Sequence, residues 1–319
     1  MLQVLGRREA GAGKMLAVSD GEFHARLGRA IAELLAGARS QTFAVGVSAA
    51  ARTLADAIDG GRPTLDAVHA FAAEVSGRIL GIPATAWREA HDLALAAVVD
   101  EPDLTSPSTA QMRMIQLMRG ETVGDPVVRG VLAGLRDVIV HGRNLRRDEV
   151  LLNSYGLLLG AAVTTGTVLA RIVLLAATSP ETWCAWRRAG PTRESIEEAV
   201  RWATPAAHFM RTASIDVDVD GVRIQAGDAV TVWLGAANRD AQAFDAADEL
   251  RLDRAPNRHL AFGSGAHYCT GAPVARMALT AALAELLQRF AGFKLADHSW
   301  LRSNFISGLR TLQVEPVVA

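Results

Sequence analysis

The chain has 319 residues, half of them apolar, enough for one large or two ordinary domains with a substantial core. Lysine and arginine total 33 against 34 aspartates and glutamates, and the net charge of -1 offers no basic field for holding a phosphate backbone, so nucleic-acid binding is excluded as the main task. Two cysteines, Cys184 and Cys269, are too few for a disulfide framework or a four-sulfur zinc site; one bridge stays open, and a reduced cytoplasmic protein is the simpler reading.

The first twenty residues mix Arg, Glu, Lys and Gly without the continuous apolar run of a secretory signal. From Asp20 to Arg188 the apolar residues recur with a helical period, broken at Asp59-Gly60-Gly61, Gly81-Ile82-Pro83 and Gly190-Pro191. Leu65, Val68, Phe71, Ala72 and Val75 form one helix face, and Asp100 to Pro107 reads as an exposed loop. Val150 to Ala170 is uncharged, but Asn153, Ser154, three threonines and three glycines make it a buried central helix and not a membrane span. A helix from about Arg193 to Trp202 opens on Glu194, Glu197 and Glu198, near its positive end, and Pro205 closes it.

The period then changes to two. Ile215, Val217 and Val219 alternate with polar residues, Asp220-Gly221 is a hairpin turn, and Val222, Ile224, Val230, Val232 and Leu234 continue a small antiparallel sheet. A loop-rich passage from Ala236 to Gly271 leads to a helix opened by Pro273, with Val274, Met277, Leu283, Leu286, Leu287 and Phe290 on its apolar face. The reading is a mainly α (α+β) protein of one domain over 1–319: a helical part at about 20–204, a small sheet at about 214–234, and a cysteine loop with C-terminal helix at about 236–292.

The passage His259-Leu-Ala-Phe-Gly-Ser-Gly-Ala-His-Tyr-Cys-Thr-Gly271 is the most unusual in the chain. It is not a phosphate loop, because no Lys-Ser/Thr follows its glycines, and Tyr268 stands where a dinucleotide fingerprint has its third glycine. The plain alternative is a buried structural cysteine beside a flexible loop. The spacing of Phe262, Gly263, Gly265, His267, Cys269 and Gly271 decides otherwise, for it closely resembles the haem-binding loop of the cytochrome P450 haem-thiolate family. Glu198-Ala-Val-Arg201, Arg254 in Leu-Asp-Arg-Ala-Pro-Asn, Ala237-Asn-Arg-Asp240 and the arginine at Arg211 extend the resemblance over most of the chain.

The resemblance implies a P450-like helical fold with small antiparallel sheets, and haem b held by the Cys269 thiolate as the metal ligand. It implies that Phe262 packs near the haem, that Gly263, Gly265 and Gly271 let the backbone bend close beneath it, and that His24, His267 and Arg211 approach the propionates. Glu198, Arg201 and Arg254 resemble the family's buried network that locks this loop. A helix starting just after Cys269 is expected to favour the thiolate through its unpaired N–H groups. Cys184, on a helix between Trp183 and Trp186, is expected to be a packing residue, and His69, His91 and His208 to be surface or satisfied core residues.

Two departures stand out. Aligned on the central helix, Thr164 falls at the oxygen-activating threonine while Val163 replaces the acid beside it, and valine neither holds nor passes a proton. The other reading of Thr164 and Thr165 is back-bonding within a buried helix. His24 also lies near the start for this family, and Gly28 replaces a usual arginine four residues on, leaving Arg26 or Arg29 as substitutes. The N-terminal part of the fold is thus expected to be shortened, with the pocket open or covered by a partner chain or second copy.

The expected function is a cytoplasmic monooxygenase tailoring a small organic secondary metabolite, with Thr164 catalytic and electrons from an external ferredoxin and reductase. The rivals are a thiolate-haem enzyme that uses peroxide or a pre-oxidised substrate instead of dioxygen, and a catalytically silent haem-binding protein.

Overall fold

The structure is a computed structural model that describes residues 11–124 and 130–319. The helices are α1 (Gly21–Ala38), α2 (Gln41–Asp59), α3 (Thr64–Leu80), α4 (Trp87–Ala96), α5 (Pro107–Gly124), α6 (Val131–Gly134), α7 (Arg147–Thr178), α8 (Pro180–Ala189), α9 (Arg193–Ala203), α10 (Leu234–Ala237) and α11 (Ala272–Arg289). The strands are β1 (Ile139–Val140), β2 (Arg143–Asn144), β3 (His208–Thr212), β4 (Val217–Val219), β5 (Val222–Ile224), β6 (Ala229–Trp233), β7 (Phe290–Trp300) and β8 (Leu309–Val318). Each strand belongs to an antiparallel pair, β1 with β2, β3 with β6, β4 with β5 and β7 with β8.

The uncharged stretch does form the central helix. Its 32 residues run through the core and pack against α3, α4, α5, α9, β7 and β8. Among the described residues α7 alone is long and apolar enough to cross a membrane, and 67% of its most apolar window is buried within the protein. Its start is fixed by Glu149, which accepts the Arg146 amide at 2.7 Å and a bidentate pair from Arg143 at 2.7 and 2.8 Å. Gly166 matters for packing, because a Cβ there would lie 3.1 Å from Ala72 Cβ, so its absence lets α3 and α7 come together. Val68, Phe71, Ala72 and Val75 of the expected α3 face are buried, and Leu65 is partly so.

The strand regions differ from the expectation in extent. The hairpin at Asp220-Gly221 is present as β4–β5, with Val217↔Ile224 and Val219↔Val222 in register. However, the residues at 229–233 pair with His208–Thr212, so the sheet region is two separate pairs that begin before residue 214. The apolar helix face does not run through Phe290 either: α11 stops at Arg289 and Phe290 opens the long β7–β8 hairpin, paired with Val318. The turn of that hairpin is tied to the α9–β3 joint, with Ala207 N donating to Phe305 O at 2.7 Å and Ser307 N to Pro205 O at 2.9 Å. The segment at 100–107 is a loop but not an exposed one throughout, since Glu101 is buried and accepts the Arg302 amide at 2.6 Å.

Candidate functional site

The cysteine loop is built around two glycines with left-handed backbone, Gly263 at φ 74° and Gly265 at φ 68°, a region that side-chain-bearing residues rarely adopt. They turn the chain so that the Cys269 amide donates to the Phe262 carbonyl at 2.8 Å. Gly271 caps α11, whose first residue is Ala272, one position before the Pro273 expected to open it. Phe262 is partly buried, with the Arg276 guanidinium 4.6 Å above its ring.

Cys269 is solvent-accessible and unpaired, yet protein atoms crowd the sulfur enough to affect its acidity. Burial pushes the thiol up from its ordinary pKa; the Gly271 and Ala272 amides and the Arg276 charge pull it down without outweighing burial. The helix start therefore contributes as expected but does not by itself yield a thiolate.

At one edge of the loop, Asp20 and His24 from the start of α1 meet His267 from far along the chain. His24, buried on α1, lies with its ring 4.1 Å from that of His267. His267 Nε2 donates to Asp20 Oδ1 at 2.8 Å, and this bond, followed by the charges of His267, His24 and Arg211, holds the Asp20 carboxyl below its ordinary range despite some burial. Arg211 projects from β3, exposed, over Phe209 at 5.9 Å. Gly28 faces Leu16; of its proposed substitutes, Arg26 is engaged by Glu22 at 2.6 Å on the helix surface, and Arg29 is exposed.

Beneath the loop lies a charge network. Glu198 and Arg201 are both fully buried, three residues apart on α9, with Arg201 donating to the carboxylate at 2.7 and 2.8 Å. Arg254 donates to the same carboxylate at 3.0 and 3.1 Å, and the Arg251 amide and Asn257 complete its shell at 2.8 and 2.9 Å. Sequence reasoning missed two neighbours. Glu197 grips the loop through Arg276 and through His259 at 3.1 Å, while Asn238 accepts from the Leu260 amide at 2.7 Å and donates to Thr204 at 2.9 Å. The adjacent Glu pair and the Asn of Ala237-Asn-Arg-Asp240 were the available signals.

On α7, Thr164 is partly exposed and donates to the Gly160 carbonyl at 2.9 Å, the back-bonded geometry weighed from sequence; Thr167 does the same to Val163 at 2.9 Å. Val163 is buried and lines a small cavity with His69, His91 and Thr167. His69 and His91 face each other at 4.6 Å, and burial lowers the pKa of His69 to about 3. His208 departs from the expectation of a satisfied histidine, as its buried Nδ1 has no partner among the described residues while its ring stacks on Trp233 at 4.9 Å. Cys184 corrects another: the α8 face that packs inward carries Trp183 and Trp186, and Cys184 points to solvent.

The cytochrome P450 family model matches residues 192–300. Over 96% of its length the chain is 31% identical to cytochrome P450 NovI of Streptomyces niveus, covering 78% of that protein. It is 34% identical to mycinamicin IV hydroxylase/epoxidase of Micromonospora griseorubida, over 91% of this chain and 75% of the relative. The solved structure of P450 OxyD, involved in the biosynthesis of vancomycin-type antibiotics, superposes with a TM-score of 0.83 at 31% identity, covering 98% of this chain and 81% of OxyD. The chain therefore belongs to the cytochrome P450 family of haem-thiolate enzymes, whose iron protoporphyrin IX is held by a cysteine.

Proposed function

We propose that this P450 is a monooxygenase acting on a small organic molecule of secondary metabolism, with Cys269 as the haem ligand. The observation that carries the site assignment is the cluster beside the loop that presents Cys269, where His267 bonds a carboxylate and packs on His24 with Arg211 near enough to act on the same charge. These residues fit the group: an accessible sulfur lies where glycine bends leave the backbone bare, and the ring N–H groups of His24 and His267 and the fixed charge of Arg211 lie where an anionic edge would sit. The similarity to a mycinamicin IV hydroxylase/epoxidase and to a P450 involved in the biosynthesis of vancomycin-type antibiotics supports the substrate class.

When bound, haem supplies dioxygen chemistry at an iron whose thiolate ligand favours O–O cleavage. As the haem ligand Cys269 would be a thiolate, and the Gly271 and Ala272 amides would stabilise the sulfur charge. His267, His24 and Arg211 would hold the propionates, with Arg211 contributing a fixed charge. Phe262, Gly263, Gly265 and Gly271 shape the loop beneath the ring, while Glu198, Arg201 and Arg254 hold it to α9. Thr164 is the catalytic hydroxyl; its proton rests on the Gly160 carbonyl, which leaves its oxygen free to accept. Val163 can relay nothing, so protons reach Thr164 through water. Electrons come from a separate ferredoxin and its reductase, in the cytoplasm.

Val163 favours a second reading, in which the same thiolate haem works with peroxide or a pre-oxidised substrate. Turnover of a substrate panel with a ferredoxin–reductase system and, separately, with peroxide decides between them. Reductant consumption coupled to product, and lost in Thr164→Ala, supports the monooxygenase. Silence with reductase and turnover with peroxide rejects it.

A further inference from the structure

Asp20 directly precedes α1 in an extended conformation, the position from which an aspartate ordinarily accepts a hydrogen bond from the first turn of a helix. Its side chain makes no such cap. It reaches across 247 residues of sequence and accepts from His267 Nε2 at 2.8 Å, although its side chain is 92% exposed and could turn away. The His24 ring lies against His267, and Arg211 is near enough to act on the same carboxylate.

We propose that the Asp20 carboxylate competes with a haem propionate for His267, His24 and Arg211, acting as a built-in brake on haem retention and a tether between α1 and the cysteine loop. The inference rests on the site reading given above. A propionate is a carboxylate, so the group now seated on His267 is chemically the one the cofactor would bring. Asp20 has an alternative seat, because the amides of Glu22 and Phe23 in the first turn of α1 need an acceptor. A propionate approaching His267 either displaces Asp20 to that cap or sits beside a like charge, and each course weakens haem binding. No covalent bond changes and no proton need move.

The test is the rate of haem loss from the holoprotein into excess apomyoglobin, for the wild type, Asp20→Ser and Asp20→Asn. Both substitutions remove the charge and place a residue able to cap α1 at its N-terminus, so the helix is preserved in either. Two unit charges about 4 Å apart in water are worth roughly a factor of five, and haem loss is expected to slow about fivefold in both variants. In full-length protein rebuilt with haem dimethyl ester, which lacks the propionate charges, all three are expected to lose the cofactor at the same rate. Unchanged or faster loss of normal haem from both variants overturns the brake. Equal slowing with the dimethyl ester also overturns it, because the effect would then be one of loop stability. A wild type that shows the thiolate-haem spectrum with an unaltered loss rate in the variants sinks only the brake; no thiolate spectrum at all sinks the site reading and the brake together.

Discussion

Replacing Glu198 by alanine removes a carboxylate that serves five donor groups at once. Arg201 and Arg254, fully buried and 6% exposed respectively, lose their only acidic partner in the network, and the Arg251 amide and Asn257 lose their acceptor. Arg201 keeps the carbonyls of Asn238, Ala247 and Glu249 at 2.6 to 2.8 Å, but its Nε and one Nη2 hydrogen lose their acceptor and its charge is unbalanced. Breaking a buried pair from one side costs about 3 to 5 kcal/mol, a large part of the roughly 5 to 15 kcal/mol that holds a protein folded. For 319 residues the unfolding entropy is roughly 0.7 kcal/mol per kelvin, which converts that loss to a fall in Tm of about 4 to 7 °C. Burial would raise the Glu198 pKa, but its hydrogen bonds from Arg201, Arg251 and Arg254 hold it below the ordinary range, so the carboxylate is charged at neutral pH. Calorimetry of Glu198→Ala and Glu198→Gln, with haem content measured on each, is the assay. The glutamine variant, which keeps one oxygen acceptor, should lose less. A Glu198→Ala protein within about 1 °C of wild type and fully loaded with haem would refute the view that this carboxylate locks the loop.

His69 makes stability depend on acid. Burial depresses its pKa from an ordinary 6.5 to about 3, with the charges of His91 and Arg88 adding and Asp92 opposing; above pH 6.5 both folded and unfolded forms are neutral and it contributes nothing. As pH falls from 6.5 toward 3 only the unfolded chain takes the proton, so stability drops by no more than about 5 kcal/mol, and less for a ring that keeps some solvent contact. Denaturant titrations should show a flatter profile in this window for His69→Gln; an identical slope would count against a buried neutral ring. Gly77→Ala should cost about 1 to 3 kcal/mol or more, because a Cβ there overlaps the Trp87 ring, itself pinned by a 2.7 Å bond to the Ile82 carbonyl; a wild-type Tm would contradict that packing. Cys184→Ser should change Tm by less than about 1 °C and leave the haem spectrum intact, and a large loss of either would restore the packing role assigned from sequence.

Where local chemistry and local structure coincide, the sequence was readable. The glycines, histidine and cysteine of the loop lie within one short run from Gly263 to Gly271, and the Glu198–Arg201 spacing places both side chains on one helix face, so their geometry follows from position alone. The central helix was legible because 21 uncharged residues with scattered threonines and glycines can satisfy their backbone in only a few ways. The β7–β8 hairpin was missed because Phe290 continues the apolar phase of α11, and only its pairing with Val318 makes it a strand. His208–Thr212 was missed for the same reason, its partner lying beyond an intervening hairpin. Cys184 looked like core because it lies between two tryptophans, yet Trp183 and Trp186 share a face at helical spacing and Cys184 falls outside it. The Asp20–His267 bond spans 247 residues and no local pattern announces it.

The carbon monoxide difference spectrum of the purified, reduced protein, recorded for wild type, Cys269→Ser and Cys184→Ser, tests the central claim most directly. If Cys269 is the haem ligand, wild type and Cys184→Ser show the thiolate-shifted Soret band and Cys269→Ser does not, whether or not it retains haem. A thiolate band that survives in Cys269→Ser, or one that vanishes only in Cys184→Ser, would contradict the assignment of the site.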